Sequence, residues 1–225
     1  MALKNRYSFC ARISEAKIRQ IVRLLAVDLD ASQTAVATRL NRNTINRYLA
    51  AIRERLVRCR EAESPASGGV GVDEGCFGPR RVKGARGRGD RGKTTVSGLF
   101  GRNGRVYAEI APDCSSATLQ AIIRGRAEPE SVLHSDGRRG CDGLAEPGCQ
   151  KHFRVEHSNN EFAGRHSRIN GTESFRAFRT RTVRFRGLHR HTFCFHLKEC
   201  EFRFNHRQEE ICRLVLKMPG DQPLC

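Results

Sequence analysis

Three carboxylates set far apart in the chain, Asp73, Asp136 and Glu173, have the type and the surroundings that phosphodiester chemistry needs. Asp73 ends an extended run, Gly69-Val70-Gly71-Val72, and Asp136 ends another, Val132-Leu133-His134-Ser135. Glu173 lies near the start of a long polar segment, Ile169 to Arg186, that reads as helical. Carboxylates gathered this way can hold two divalent cations, which activate a water or a 3′-hydroxyl for attack on phosphorus. Mg2+ suits such a two-metal site, with Mn2+ as a substitute, because it takes few carboxylates and keeps room for phosphate oxygens. Taken singly, an Asp at a strand end is more often a turn former or a surface carboxylate. Glu74 and Asp142 are near-equivalents in that respect. The order of the three acids along a fitting series of strands and helices is what singles them out.

The bulk of the chain agrees with a nucleic-acid partner. Its 225 residues hold 41 Lys plus Arg against 24 Asp plus Glu, a formal net charge of +17. Basic residues spread along the whole length point to a polyanion, above all DNA. Hydrophobic residues make up 38%, which predicts a thin core. No segment approaches the ~20 apolar residues of a membrane span, and Met1 to Ile13 lacks the apolar core of a signal peptide. The 10 cysteines are scattered, so they read as reduced thiols in a cytoplasm rather than a disulfide framework.

The elements that must position the acids follow from hydrophobic spacing. Residues 1–60 read as a small N-terminal all-α domain. Its apolar positions are Ile18, Ile21, Leu24 and Leu25, then Ala35, Val36 and Leu40, then Ile45, Tyr48, Leu49, Ile52 and Leu56. Three helices with a short turn before the third fit a helix-turn-helix, with Asn43 as N-cap and Thr44, Asn46, Arg47 and Arg53 toward DNA. Residues 61–69 are a linker rich in Ser, Pro, Ala and Gly. Strands are expected at Val70–Asp73, Thr94–Phe100 and Arg105–Ala111, with Asn103-Gly104 as a hairpin turn. A helix at Ser115–Arg126, strands at Val132–Ser135 and His152–Glu156, and a helix at Phe193–Phe204 follow. This order predicts an α/β fold, an RNase H-like mixed sheet with flanking helices over residues 70–210. There the first and fourth strands are neighbours, so Asp73 and Asp136 converge. Residues 211–225 read as a C-terminal tail.

Two other motifs compete. Gly87 to Thr94 satisfies the phosphate-loop pattern G-x-x-x-x-G-K-[ST]. That chemistry needs a hydrophobic strand before the loop and a helix after it. Here Arg80 to Arg86 is basic and Gly-rich, and Thr95 to Phe100 is β-like. An Arg/Gly hairpin on DNA phosphates is the better account, using Arg80, Arg81, Lys83, Arg86, Arg88 and Arg91. His189, His191, Cys194, His196 and Cys200 suggest zinc, but no C-x-x-C pair accompanies them.

The motifs together resemble the small bacterial insertion-sequence transposases with an ISXO-type DDE domain. The resemblance runs from about Arg12 to the last helix. Its boxes are Val72-Asp73-Glu74-Gly75-Cys76-Phe77-Gly78, the basic run Lys83 to Gly89, and His134-Ser135-Asp136-Gly137. Ile169-Asn170-Gly171-Thr172-Glu173-Ser174-Phe175 and Leu197 to Asn205 complete them. The resemblance implies a catalytic triad of Asp73, Asp136 and Glu173, with a basic residue after the third acid at Arg179 or Arg181. It also implies terminal inverted repeats and target DNA as partners, a dimer or larger assembly on that DNA, and a place at the nucleoid of a bacterial cytoplasm. The chain departs from the family pattern at Arg138 and Arg176, where Trp is expected, and at Cys76, Cys141, Cys149, Cys194 and Cys212, where Tyr is expected. These departures sustain a second reading: a catalytically degraded DNA-binding protein of the same fold.

Overall fold

The computed structural model describes residues 5–61, 69–77, 94–101, 104–113, 115–127, 131–136, 151–155, 190–221 and 223–224. The chain divides into two compact units, Met1–Ala62 with His206–Cys225, and Glu63–Asn205.

The first unit is helical. Helix α1 (Glu15–Ala26) starts at Ser14, whose hydroxyl accepts from the Lys17 amide, and it buries Ile18, Ile21, Val22 and Leu25. Helix α2 (Ala31–Thr38) starts on a reciprocal cap between Asp30 and Gln33 and ends at Arg39, at φ 54°. Lys17 Nζ donates to the Thr38 carbonyl at 2.6 Å, tying α1 to the carboxyl end of α2. Helix α3 (Arg42–Glu61) buries Ile45, Tyr48, Leu49, Ile52 and Leu56, the spacing expected from sequence. Two details differ from the sequence reading. Asn41, rather than Asn43, caps α3: its Oδ1 accepts from the Asn43 amide at 2.8 Å. In α2 the buried side chains are Thr34 and Thr38, while Val36 is 81% exposed. The Thr38 hydroxyl donates to the Thr34 carbonyl at 2.7 Å, which lets a polar side chain sit inside.

Residues 211–225, a tail in the sequence reading, contain helix α6 (Ile211–Asp221), which packs on α1. Leu224 then forms a parallel bridge with Ser8, and the Leu224 amide donates to the Tyr7 carbonyl at 2.8 Å.

The second unit is a five-stranded sheet of order β3-β2-β1-β4-β5. The strands are β1 (Gly69–Phe77), β2 (Thr94–Gly101), β3 (Val106–Ala111), β4 (Val132–Asp136) and β5 (Lys151–Val155). β1, β2 and β3 are antiparallel neighbours; β4 runs parallel to both β1 and β5, so the sheet is mixed. The β2–β3 turn contains Gly104 at φ 73°, the positive φ that the Asn-Gly signal anticipates. Helix α4 (Ser116–Arg126) covers one face: Leu119, Ile123 and Ala127 meet Val70, Val72 and Leu99. Helix α5 (Arg190–Asn205) covers the other: Phe193, Leu197 and Cys200 meet Phe77, Val96, Phe100, Val106 and Ala108. With helices on both sides of a mixed sheet, the unit is α/β, as expected. The segment Ile169 to Arg186 lies outside the described residues.

Candidate active site

β1 is longer than its hydrophobic run suggests. It continues to Phe77, whose ring lies 6.0 Å from that of Phe193 on α5, so Asp73 stands inside the strand rather than at its end. Side chains alternate along a strand. Phe77, Gly75 and Asp73 therefore share the face covered by α5, and Val70 and Val72 share the face covered by α4. Across the antiparallel ladder, Asp73 is opposite Gly98, and Gly98 is opposite Ala108. On β1 and directly across on β2, the neighbours of Asp73 on its own face are thus Gly71, Gly75 and Gly98, with Val96 and Phe100 diagonal to it. Asp73 itself is half-buried.

Parallel pairing of β1 with β4 supplies the second acid. The register runs from Gly69↔Val132 to Val72↔Ser135. The next residue on each strand is Asp73 and Asp136, so the two aspartates stand at one level on neighbouring strands. Neighbouring strands are about 4.8 Å apart. β4 extends through Asp136, which pairs with Val155 of β5. Glu173 lies outside the described residues, as do Arg80, Arg81, Lys83, Arg86, Arg88, Arg91 and Arg179. Among the described residues, no three His, Cys, Asp or Glu side chains cluster as metal ligands.

The competing motifs meet the structure in part. The segment after the phosphate-loop pattern, Thr94–Gly101, is strand β2 where such a loop needs a helix; Gly87 to Lys93 lie outside the described residues. Of the suggested zinc ligands, Cys200 is buried in the sheet core and Cys194 Sγ donates to the His191 carbonyl at 3.6 Å. His189 lies outside the described residues.

In the first unit, Asn46 and Arg47 of α3 are exposed, while Thr44 and Arg53 are partly covered. Seven residues make about two helical turns, so Asn46 and Arg53 share a side; Thr44, two residues from Asn46, lies nearly opposite. The Arg47 guanidinium sits 5.4 Å from the Tyr48 ring centroid, which holds it against the helix. Arg39 and Arg42 are also exposed beside this end of α3, and sequence reading passed over them. Their place at a helix-joining turn is the signal that would have found them. Among the described residues, no helix is long and apolar enough to cross a membrane.

Asp73 and Asp136 thus stand at one level on adjacent strands of a mixed α/β sheet. Residues 65–205 match the ISXO2-like transposase domain, and the chain belongs to that family. It is 38% identical over 114 residues to an uncharacterized transposase-like protein of Haemophilus influenzae, which covers 50% of this chain and 91% of that one. Among solved structures, the chain is similar to a pre-cleavage Mos1 transpososome at 13% identity and TM-score 0.32, over 93% of this chain and 80% of that one. A Mos1 strand transfer complex shows 14% identity and TM-score 0.37, over 94% and 76%. Scores this low leave the fold to be read from the sheet order itself.

Proposed function

We propose that this chain is a DDE transposase that cleaves and joins DNA strands at the ends of its own element. The observation that carries the reading is the parallel β1–β4 register, which sets Asp73 and Asp136 at one level. The strand order and the helix on each face support an RNase H-like domain. Asp73 and Asp136 supply the hard oxygen donors that Mg2+ or Mn2+ takes, and Glu173 completes the set from a segment C-terminal to β5. When bound, the cations polarise the phosphate and lower the pKa of the attacking water or hydroxyl. The protein's own share is to hold the acids at fixed spacing on a rigid sheet, with glycines flanking Asp73 on β1 and β2. Exposed Asn46 and Arg47, with Arg53 on the side of Asn46, form a helix-turn-helix grip on the terminal inverted repeats, and Thr44, nearly opposite, stands outside it. Arg80, Arg81, Lys83, Arg86, Arg88, Arg91 and Arg179 neutralise backbone phosphates of end and target DNA. Two copies at least act together, since two ends must be joined.

The test is cleavage and strand transfer of labelled end DNA with Mg2+ or Mn2+. Asp136→Asn and Asp73→Asn should each lower cleavage by about a hundred-fold or more while DNA affinity stays within a few-fold. Equal cleavage by Asp136→Asn sinks the reading. Arg138 and Arg176, where the resemblance calls for Trp, favour a second reading, a DNA-binding protein without cleavage. Tight, salt-sensitive binding with no cleavage by the parent chain would select it.

A further inference from the structure

Helix α5 carries more buried charge than a covering helix needs. Glu201 is fully buried, and Glu199 and Arg203 are nearly so. A buried carboxylate costs several kcal/mol unless donors surround it. Glu201 Oε2 accepts from Lys198 Nζ at 2.9 Å and from the backbone amide of Ala108 at 2.9 Å. One turn on, Asn205 Oδ1 accepts from the Val106 amide at 2.7 Å, and Asn205 Nδ2 donates to the Val106 carbonyl at 2.8 Å. β3 is an edge strand of the sheet, and these bonds meet the backbone groups it turns away from β2. The side chains of α5 thus act as a surrogate neighbouring strand.

The spacing explains the pattern. Four residues of helix rise about 6.0 Å, and two residues of strand advance about 6.6–6.8 Å. Glu201 on Ala108 and Asn205 on Val106 therefore fit only if α5 runs antiparallel to β3, and a slip by one turn breaks all of these backbone bonds. Apolar packing of Phe193, Leu197 and Cys200 on Phe77, Val96, Phe100 and Val106 is non-directional, so the backbone bonds add a directional constraint to the same register. Ala108 is also the outer member of the row Asp73–Gly98–Ala108. Around α5, Phe193, Leu197 and Cys200 face the sheet and Glu201 and Asn205 face the outer edge. At 100° per residue, Glu199 and Arg203, joined at 2.8 Å, fall on the flank of α5 opposite Glu201 and Asn205.

We propose that Glu201 and Asn205 are positioning residues for the carboxylate site: they lock the register of α5 on the sheet face that carries Asp73. This rests on the reading of Asp73 and Asp136 as cation ligands. The experiment uses the full chain with Glu201→Leu, Glu201→Gln and Asn205→Asp. Glu201→Leu removes the acceptor for the Ala108 amide; Glu201→Gln keeps one; Asn205→Asp loses the donor to Val106. Expected for Glu201→Leu are faster amide exchange at Ala108, weaker Mn2+ binding by electron paramagnetic resonance, and end cleavage slowed about ten- to a hundred-fold at saturating DNA with DNA affinity unchanged. Glu201→Gln should restore most of the rate. The proposal is overturned if Glu201→Leu melts cooperatively, loses protection at Ala108, and still binds Mn2+ and cleaves as the parent does. Should Glu201→Leu fail to fold, Asn205→Asp, which removes the donor to the Val106 carbonyl, decides by Mn2+ affinity and cleavage: parental values for both overturn the proposal. If the parent binds Mn2+ but does not cleave, Mn2+ affinity decides alone. Asp136→Asn with parental Mn2+ affinity would instead defeat the carboxylate reading, and a parent that binds no Mn2+ would defeat both.

Discussion

The two faces of the sheet are covered by different chemistry. α4 meets Val70, Val72 and Leu99 with Leu119, Ile123 and Ala127, an apolar contact bordered by the Arg126 guanidinium over the Tyr107 ring. α5 adds to its apolar stripe the buried Glu199, Glu201 and Arg203. An apolar contact is non-directional and tolerates small shifts. Buried, hydrogen-bonded charge does not, because any shift strands a group without its partner. The face that carries Asp73 is the one fixed by directional bonds. Rigidity is spent where the candidate chemistry lies, and the opposite face supplies bulk stability.

The comparison can be broken most sharply at Arg203. Arg203→Met removes the guanidinium beside the buried Glu199 carboxylate and should cost about 3–5 kcal/mol. Adding Glu199→Leu should recover most of that loss, because the charge and its desolvation leave together. Urea melts of the single and double variants check both; a single-variant cost below about 1 kcal/mol would erase the contrast between the faces. On the α4 side, Leu119→Ala should cost about 2–5 kcal/mol through lost burial and the cavity left behind. No second substitution on that face should rescue it as Glu199→Leu rescues Arg203→Met.

Smaller effects test the local devices. Arg39 holds a left-handed conformation at the end of α2, where a side chain costs about 1–2 kcal/mol. Arg39→Gly should raise the stability of the helical unit by about 0.5–1 kcal/mol in thermal melts, the residual gain after the added flexibility of the unfolded chain. At the start of α4, the hydroxyls of Ser115 and then Thr118, with the Ser115 amide, donate to Asp113 and lower its pKa from 3.8 to about 2. A depressed carboxylate pKa adds stability that is complete above the unfolded value near 3.8 and is lost as pH falls through about 2. Melts between these limits should show this slope shrink in Asp113→Asn. Asp113 is exposed, so the change should be the smallest of the set.

Legibility from sequence followed the range of the interactions. α3 and its buried Ile45, Tyr48, Leu49, Ile52 and Leu56 were readable because a 3.6-residue period repeats within one segment. The strands were placed to within a few residues, and the β2–β3 hairpin followed from Asn103-Gly104. The hydrophobic run of β1 ends at Asp73 because Glu74, Gly75 and Cys76 lack strand character; pairing with Thr94 to Gly98 and packing of Phe77 on Phe193 carry the strand on. Apolar periodicity misreads the interior of α2 because Thr38 satisfies its hydroxyl on Thr34 while Val36 faces out, 81% exposed. Residues 211–225 looked like a tail because docking of α6 on α1 joins segments nearly two hundred residues apart, which no local pattern records.

Local signals in the sequence set α1 to α5, most of the strands and the basic balance, because backbone propensity, capping and periodic burial act over a few residues. The sequence also marked Asp73 and Asp136 as a pair worth placing together. Tertiary contacts set the rest: the two stand at one level, glycines flank Asp73 on β1 and β2, Glu201 closes the far edge of the same row, and Asn205 closes the next. Those facts depend on strand register and on the seating of a helix, and a shift of one residue in either would leave the composition and the local periodicity unchanged.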